Sequence, residues 1–168
     1  MADTATIHAS AVLIGPKAAL IRGPEGSGKS RLVWDLLQAA AQGALPFARL
    51  VADDRAHVEA CAGRLLVRPA PALAGMIEIR GLGIKRLPYE ALAAVGLVVD
   101  LAAEDAARHP GPAAAQTAIG GVSLPRLAVA PGMPALRIVL AFLKAPPPVI
   151  DLGLALGYPE RPPSGGKN

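Results

Sequence analysis

The chain has 168 residues, with 17 Lys or Arg against 13 Asp or Glu, giving a net charge of +4 and a pI near 9.6. That length suits one domain that needs no staple, and the single cysteine, Cys61, excludes an internal disulfide. The basic residues are scattered, so a nucleic-acid partner is not expected. No apolar run reaches the ~18 residues of a membrane span, and no secretory leader pattern heads the sequence. The default expectation is a cytoplasmic protein away from membranes.

In chain order, residues 7–14 ("IHASAVLI") and 18–22 ("AALIR") read as strands joined by a Gly-Pro-Lys turn. A glycine-rich loop follows the second strand directly. Residues 29–41 then read as a helix with an apolar stripe of Leu32, Val33, Leu36 and Leu37, stopped by Gly43. "RLVADD", residues 49–54, is a short apolar strand ending in two carboxylates. Residues 57–61 and 64–69 form a hairpin around Ala62-Gly63. Residues 71–87 read as a turn, a short strand and a glycine-rich loop. "VGLVVDL", residues 95–101, is a buried strand. Residues 104–121 look like a loop, 123–129 a strand and 133–144 a helix. From Ala145 the composition turns to proline and glycine, which predicts an irregular or disordered tail over 145–168 behind a domain spanning 5–144.

Three stretches carry chemistry. Gly23, Pro24, Glu25, Gly26, Ser27, Gly28, Lys29 and Ser30 spell G-x-x-x-x-G-K-S between a strand and a helix. Backbone N–H groups of such a turn converge at a helix N-terminus and favour polyphosphate; Lys29 reaches the outer phosphates and Ser30 offers its hydroxyl to Mg²⁺. Asp53 and Asp54 close the next strand. On a continuing strand they point to opposite faces; if the strand has ended, both reach the phosphate. In "EIRGLG", alternation puts Glu78 and Arg80 on one face, a carboxylate suited to metal beside a guanidinium suited to phosphate. His8 stands alone at the start of a strand. His57 and His109 fit no pattern.

Taken together, "HASAVLI", "GPEGSGKS", "RLVADDR", "EIRGLGI" and, more weakly, "LAVAPGMPALRIVLAFL" resemble the catalytic domain of bacterial HPr kinase/phosphorylase over residues 5–144. The resemblance implies an α/β fold: a P-loop domain of the phosphoenolpyruvate-carboxykinase-like type, with a mixed central sheet flanked by helices. It implies an ATP- and Mg²⁺-dependent kinase that phosphorylates a serine of an HPr-type phosphocarrier protein of the phosphotransferase system. Such enzymes commonly assemble as hexamers. By the same resemblance, residues 23–30 bind nucleotide, Ser30 and Glu78 hold Mg²⁺, and one of the acidic pair is the general base, Asp54 ahead of Asp53. His8 matches an active-site histidine, residues 78–87 match a segment tied to phosphorolysis, and Arg108 aligns best with an arginine that follows the long buried strand.

Two departures stand out. The family's additional N-terminal domain has no counterpart before His8, which suggests the short form. Met133 and Pro134 replace an arginine and an asparagine of the family's "PGRN" stretch, so phosphorylase activity is expected to be weak or absent. An alternative is an ATP-sensing regulatory module without phosphotransfer. A small-molecule kinase would need a lid with clustered arginines, which the sequence lacks.

Overall fold

The apolar runs read as buried strands lie side by side in one curled sheet. A computed structural model describes residues 6–145, with the order β1 (Thr6–Ile7), β2 (Ala9–Ile14), β3 (Lys17–Arg22), α1 (Lys29–Ala41), β4 (Ala48–Ala52), β5 (Ala56–Cys61), β6 (Arg64–Pro69), β7 (Met76–Ile79), β8 (Gly83–Arg86), β9 (Ala93–Asp100), β10 (Gln116–Ile119), β11 (Val122–Ala128) and α2 (Ala135–Lys144). The main sheet runs β1-β5-β6-β9-β3-β2-β4, with β11 also on β9 and β10 on β11. β9 is its hinge. Its first residues pair with β6, its last three with β11, and its other edge with β3. The β3–β9 and β9–β11 pairs are parallel and the other pairs antiparallel, so the sheet is mixed as expected.

The central strands are apolar on both faces because both faces are covered. Val12, Ala19, Ile21, Leu50, Leu97 and Val99 face α1 and α2, meeting Leu32, Val33, Leu36 and Val139. The alternate residues Ala11, Ala18, Leu20, Val51 and Val98 face a second cluster with Leu65 and Val67, where the β5–β6 end of the sheet curls over its own other face. Among the described residues both helices therefore lie on one side, and the curl closes the other.

α1 occupies the span that its apolar stripe predicts, and Gly43 follows its end with φ 79°. Two stretches read as loops are strands. Gly83–Arg86 pairs with Met76–Ile79, and Gln116–Ile119 pairs with β11 through Gly120-Gly121. All four residues of β8 are exposed, and β10 alternates only between exposed and half-buried, so neither carries the buried apolar residues that mark a strand in sequence. The Gly-Gly pair, with φ 58° and 78°, was the legible signal for the second hairpin. Apart from Ala145, the expected tail lies outside the described residues.

Candidate phosphate-transfer site

β3 delivers the chain to the glycine loop, and the loop opens α1. Gly23, Gly26 and Gly28 have φ of 153°, 76° and 96°, a region in which side chains are strained. At Gly23 space adds to conformation: a Cβ would lie 2.6 Å from Ser27 Oγ and 3.0 Å from the Leu101 carbonyl oxygen. Lys29 is buried and folds back over the loop, donating to the carbonyls of Gly23 (2.9 Å) and Pro24 (3.1 Å). The first bond of the helix runs from Leu32 N to Gly28 O, which leaves the earlier N–H groups without an intrahelical acceptor. Ser27 Oγ is buried in the loop with no hydrogen-bond partner. Convergent unsatisfied donors at a helix N-terminus are the geometry that suits phosphate oxygens.

β4 ends at Ala52, so the acidic pair lies beyond the strand and does not alternate across it. The two carboxylates have different surroundings. Asp53 is 4% exposed and saturated: Ser10 Oγ donates at 2.7 Å, Ser30 Oγ at 2.7 and 2.9 Å, and the Glu78 N–H at 3.1 Å. It thereby ties β2, α1 and β7 together at the mouth of the loop. Asp54 adopts φ 66°, which swings its side chain out of that network, and the side chain is 61% exposed at the cleft. Its Oδ1 lies 2.7 Å from His8 Nε2, at the bend between β1 and β2. Glu78 and Arg80 line the same cleft, but β7 ends at Ile79, which lines it too, so Arg80 reaches it from the turn and not through a shared strand face.

Ser10 is singled out by none of the sequence motifs. It is fully buried, donates to Asp53 and accepts a long bond (3.4 Å) from the Asp54 N–H, so it supports both acids at once. The signal was a lone hydroxyl among buried apolar residues of β2. Arg108 lies exposed on the loop after β9 and does not line the cleft. From the chain after β9, the arginine that lines the cleft is Arg137 of α2, accompanied by Met133 and Pro134.

On the other side of the loop, Asp100 ends β9 beside Arg22, its register partner on β3. Arg22 donates to both Asp100 oxygens at 2.7 and 2.8 Å, and Arg126 Nε donates to Oδ2 at 2.6 Å. Arg126 also grips Asp105 with two nitrogens, at 2.7 and 2.9 Å. Burial alone would raise the pKa of Asp100, but the hydrogen bonds from Arg22 and then Arg126 hold it below the ordinary carboxylate value. The bonds to Asp105 and Asp100 raise the pKa of Arg126 further, so it stays charged. This network fixes the Leu101 turn that backs Gly23, whose other anchor is the bond from Leu101 N to Arg22 O.

The cleft has a volume of about 1170 Å³. Strand order gives it two flanks. The loop springs from β3; toward β2 and β4 lie His8, Asp54 and, from β7, Glu78 and Arg80, while toward β9 and β11 lie Leu101 and residues 132–137. Among the described residues no three His, Cys, Asp or Glu side chains cluster as a metal cage, and no helix is long and apolar enough to cross a membrane. A cage is not required for Mg²⁺, which is usually held by one or two carboxylates together with substrate phosphates. Ser30 and Glu78 at the cleft suit that mode, with Asp53 behind them fixing the Ser30 hydroxyl.

The structure is similar to that of the Hpr(Ser) kinase/phosphatase from Coxiella burnetii, with a TM-score of 0.66, covering 92% of this chain and 99% of that one at 23% identity. At that identity the likeness establishes the fold: a mixed α/β domain of the HPr kinase catalytic type. No protein-family model and no curated protein matches this sequence.

Proposed function

We propose that this chain is an ATP- and Mg²⁺-dependent kinase that transfers the terminal phosphate to a serine of an HPr-type phosphocarrier protein. The observation that carries the reading is the split acidic pair. One carboxylate is saturated and fastens the loop, and the other stands open in the cleft with a histidine at 2.7 Å. A serine hydroxyl is a weak nucleophile and needs a base within hydrogen-bond reach. The likeness in fold to an HPr(Ser) kinase/phosphatase supports the same class of acceptor.

In this mechanism the loop N–H groups and Lys29 hold the phosphates, with Lys29 exchanging its two carbonyl acceptors for phosphate oxygens. Ser30 and Glu78 would hold Mg²⁺, whose chemistry is to neutralise phosphate charge and orient the outer groups, with Asp53 fixing the Ser30 hydroxyl and the Glu78 N–H from behind. The serine oxygen attacks the terminal phosphorus as its proton passes to an Asp54 carboxylate oxygen. The new P–O bond forms, the bond to the bridging oxygen breaks, and ADP leaves. His8 orients Asp54 through the Nε2–Oδ1 contact. Because Met133 and Pro134 bring no cation or amide to the cleft, the reverse reaction, phosphorolysis, is weak or absent in this proposal.

The test is incubation with γ-labelled ATP, Mg²⁺ and a panel of HPr-type proteins, each paired with its serine-to-alanine variant. Label should enter an unaltered acceptor and not its alanine partner. ATP binding without any labelled acceptor would instead favour a nucleotide-sensing module.

A further inference from the structure

In-line phosphoryl transfer sets the attacking and leaving oxygens on opposite sides of the transferred phosphorus. In this fold the two sides are distinguishable. The proposed base Asp54 and its partner His8 lie with Glu78 on the β2–β4–β7 flank, while Asp35 of the cleft is engaged by Arg31 at 3.8 Å, so the acceptor hydroxyl enters beside Asp54 and the leaving diphosphate extends toward β9 and α2. That second flank has different chemistry. Met133, 52% exposed, lines it with Pro134 and Leu136, and among the described residues Arg137 makes no hydrogen bond or ion pair. The other cations of the cleft are placed otherwise. Lys29 is held by loop carbonyls, Arg31 has Asp35 at 3.8 Å, and Arg80 is on the acceptor flank.

We infer that residues 133–137 form the donor-nucleoside subsite, with the base lying against Met133 and Pro134 and the guanidinium of Arg137 taking the phosphate nearest the ribose. The inference rests on the phosphate-loop reading above and adds to it which wall of the cleft recognises the nucleoside. An apolar, partly exposed surface beside an unpaired guanidinium suits a flat base joined to a phosphate. It assigns Met133 and Arg137, which no acid–base role uses, a part in donor selectivity.

The test is a ladder of three ligands measured by calorimetry with Mg²⁺ on the full chain: pyrophosphate, tripolyphosphate and ATP. Met133→Ser should weaken ATP alone, by about fivefold for the loss of one apolar contact, and leave both inorganic ligands unchanged. Arg137→Gln should weaken ATP and tripolyphosphate by about tenfold and spare pyrophosphate, which is too short to reach it. Trp34→Leu is the control. Trp34 lies one helical turn beyond Ser30 on the same face of α1, and Ser30 points at Asp53, so Trp34 belongs to the acceptor flank. The inference is overturned if Trp34→Leu selectively lowers ATP affinity while Met133→Ser does not, or if neither Met133→Ser nor Arg137→Gln separates the three ligands. If the unaltered protein binds none of the three, the phosphate-loop reading itself falls. Binding of all three with no discrimination by the variants removes only the subsite.

Discussion

At the end of β4 a carboxylate stands open to the cleft, whereas at the end of β9 the carboxylate is enclosed by two guanidiniums. Both strands end beside the phosphate loop, and both ends present acid. Asp54 escapes enclosure by leaving the strand in a left-handed conformation, so that among the described residues His8 is the one hydrogen-bond partner of its carboxylate. Asp100 stays in register with Arg22 and receives Arg126 as well. A carboxylate whose lone pairs all receive strong donors has its charge fixed and is a poor proton acceptor. One with a single imidazole and open water has capacity to spare. The comparison assigns chemistry to the β4 end and support to the β9 end, with Asp53 a third case: a saturated acid on the chemical side that fixes its neighbours.

The largest effect that would break this division is kinetic. Asp54→Asn keeps the shape and removes the proposed base, so the transfer rate should fall ~10²–10⁴-fold with ATP affinity nearly unchanged, read by single-turnover transfer of label. Next comes the support. Asp100→Asn leaves two guanidiniums facing a neutral amide at a side chain only 14% exposed, and should cost about 2–3 kcal/mol in denaturant unfolding. Smaller again is His8→Ala, which frees Asp54 to rotate. It should slow transfer about tenfold without changing unfolding, because the pair is half-exposed. An equal loss of stability and rate in that variant would merge the two ends into one structural role.

The smallest effect is the pH dependence. The folded-state pKa of Asp100 lies below its unfolded value. Its contribution to stability is therefore fully present above the unfolded carboxylate pKa of ~3.9 and is lost as pH falls through the lower folded value. Unfolding measured between pH 7 and 2 should show an acid limb that starts near pH 4, and Asp100→Asn should flatten it. An unchanged limb would mean that the arginines do not hold this acid in the folded state.

How much of this could be read in the sequence differs between the two ends. The phosphate loop, α1 and the strand before them are local: glycine spacing, a helical stripe and an apolar run lie within about 25 residues, and each was legible. So were Asp53, Asp54 and Glu78 as candidates, since each sits at the end of an element or on an alternating strand. Their division was not legible. It depends on Ser10, 43 residues away from Asp53, on Ser30 across the loop, and on a positive φ at Asp54 that no flanking glycine announces. The β9 end was less readable still. Asp100 is joined to Arg22 across 78 residues and to Arg126 across 26, a pairing set by strand order alone. Arg108 was the nearest arginine by position, but the turns after β9 carry it away from the cleft, while α2 returns Arg137 to it. The two overlooked strands, β8 and β10, share one cause: each is an outer strand that buries no residue, so neither carries an apolar run.

The most direct test sets the acidic neighbours against each other. Single-turnover transfer of label from ATP to the acceptor protein would be followed for Asp53→Asn and Asp54→Asn over a Mg²⁺ series. If Asp53 fastens the loop and its metal side while Asp54 takes the proton, Asp53→Asn moves the Mg²⁺ midpoint upward and recovers rate at high Mg²⁺. Asp54→Asn keeps the midpoint and stays slow at every concentration. The reverse pattern, with Asp54→Asn rescued by Mg²⁺ and Asp53→Asn slow throughout, would contradict the account.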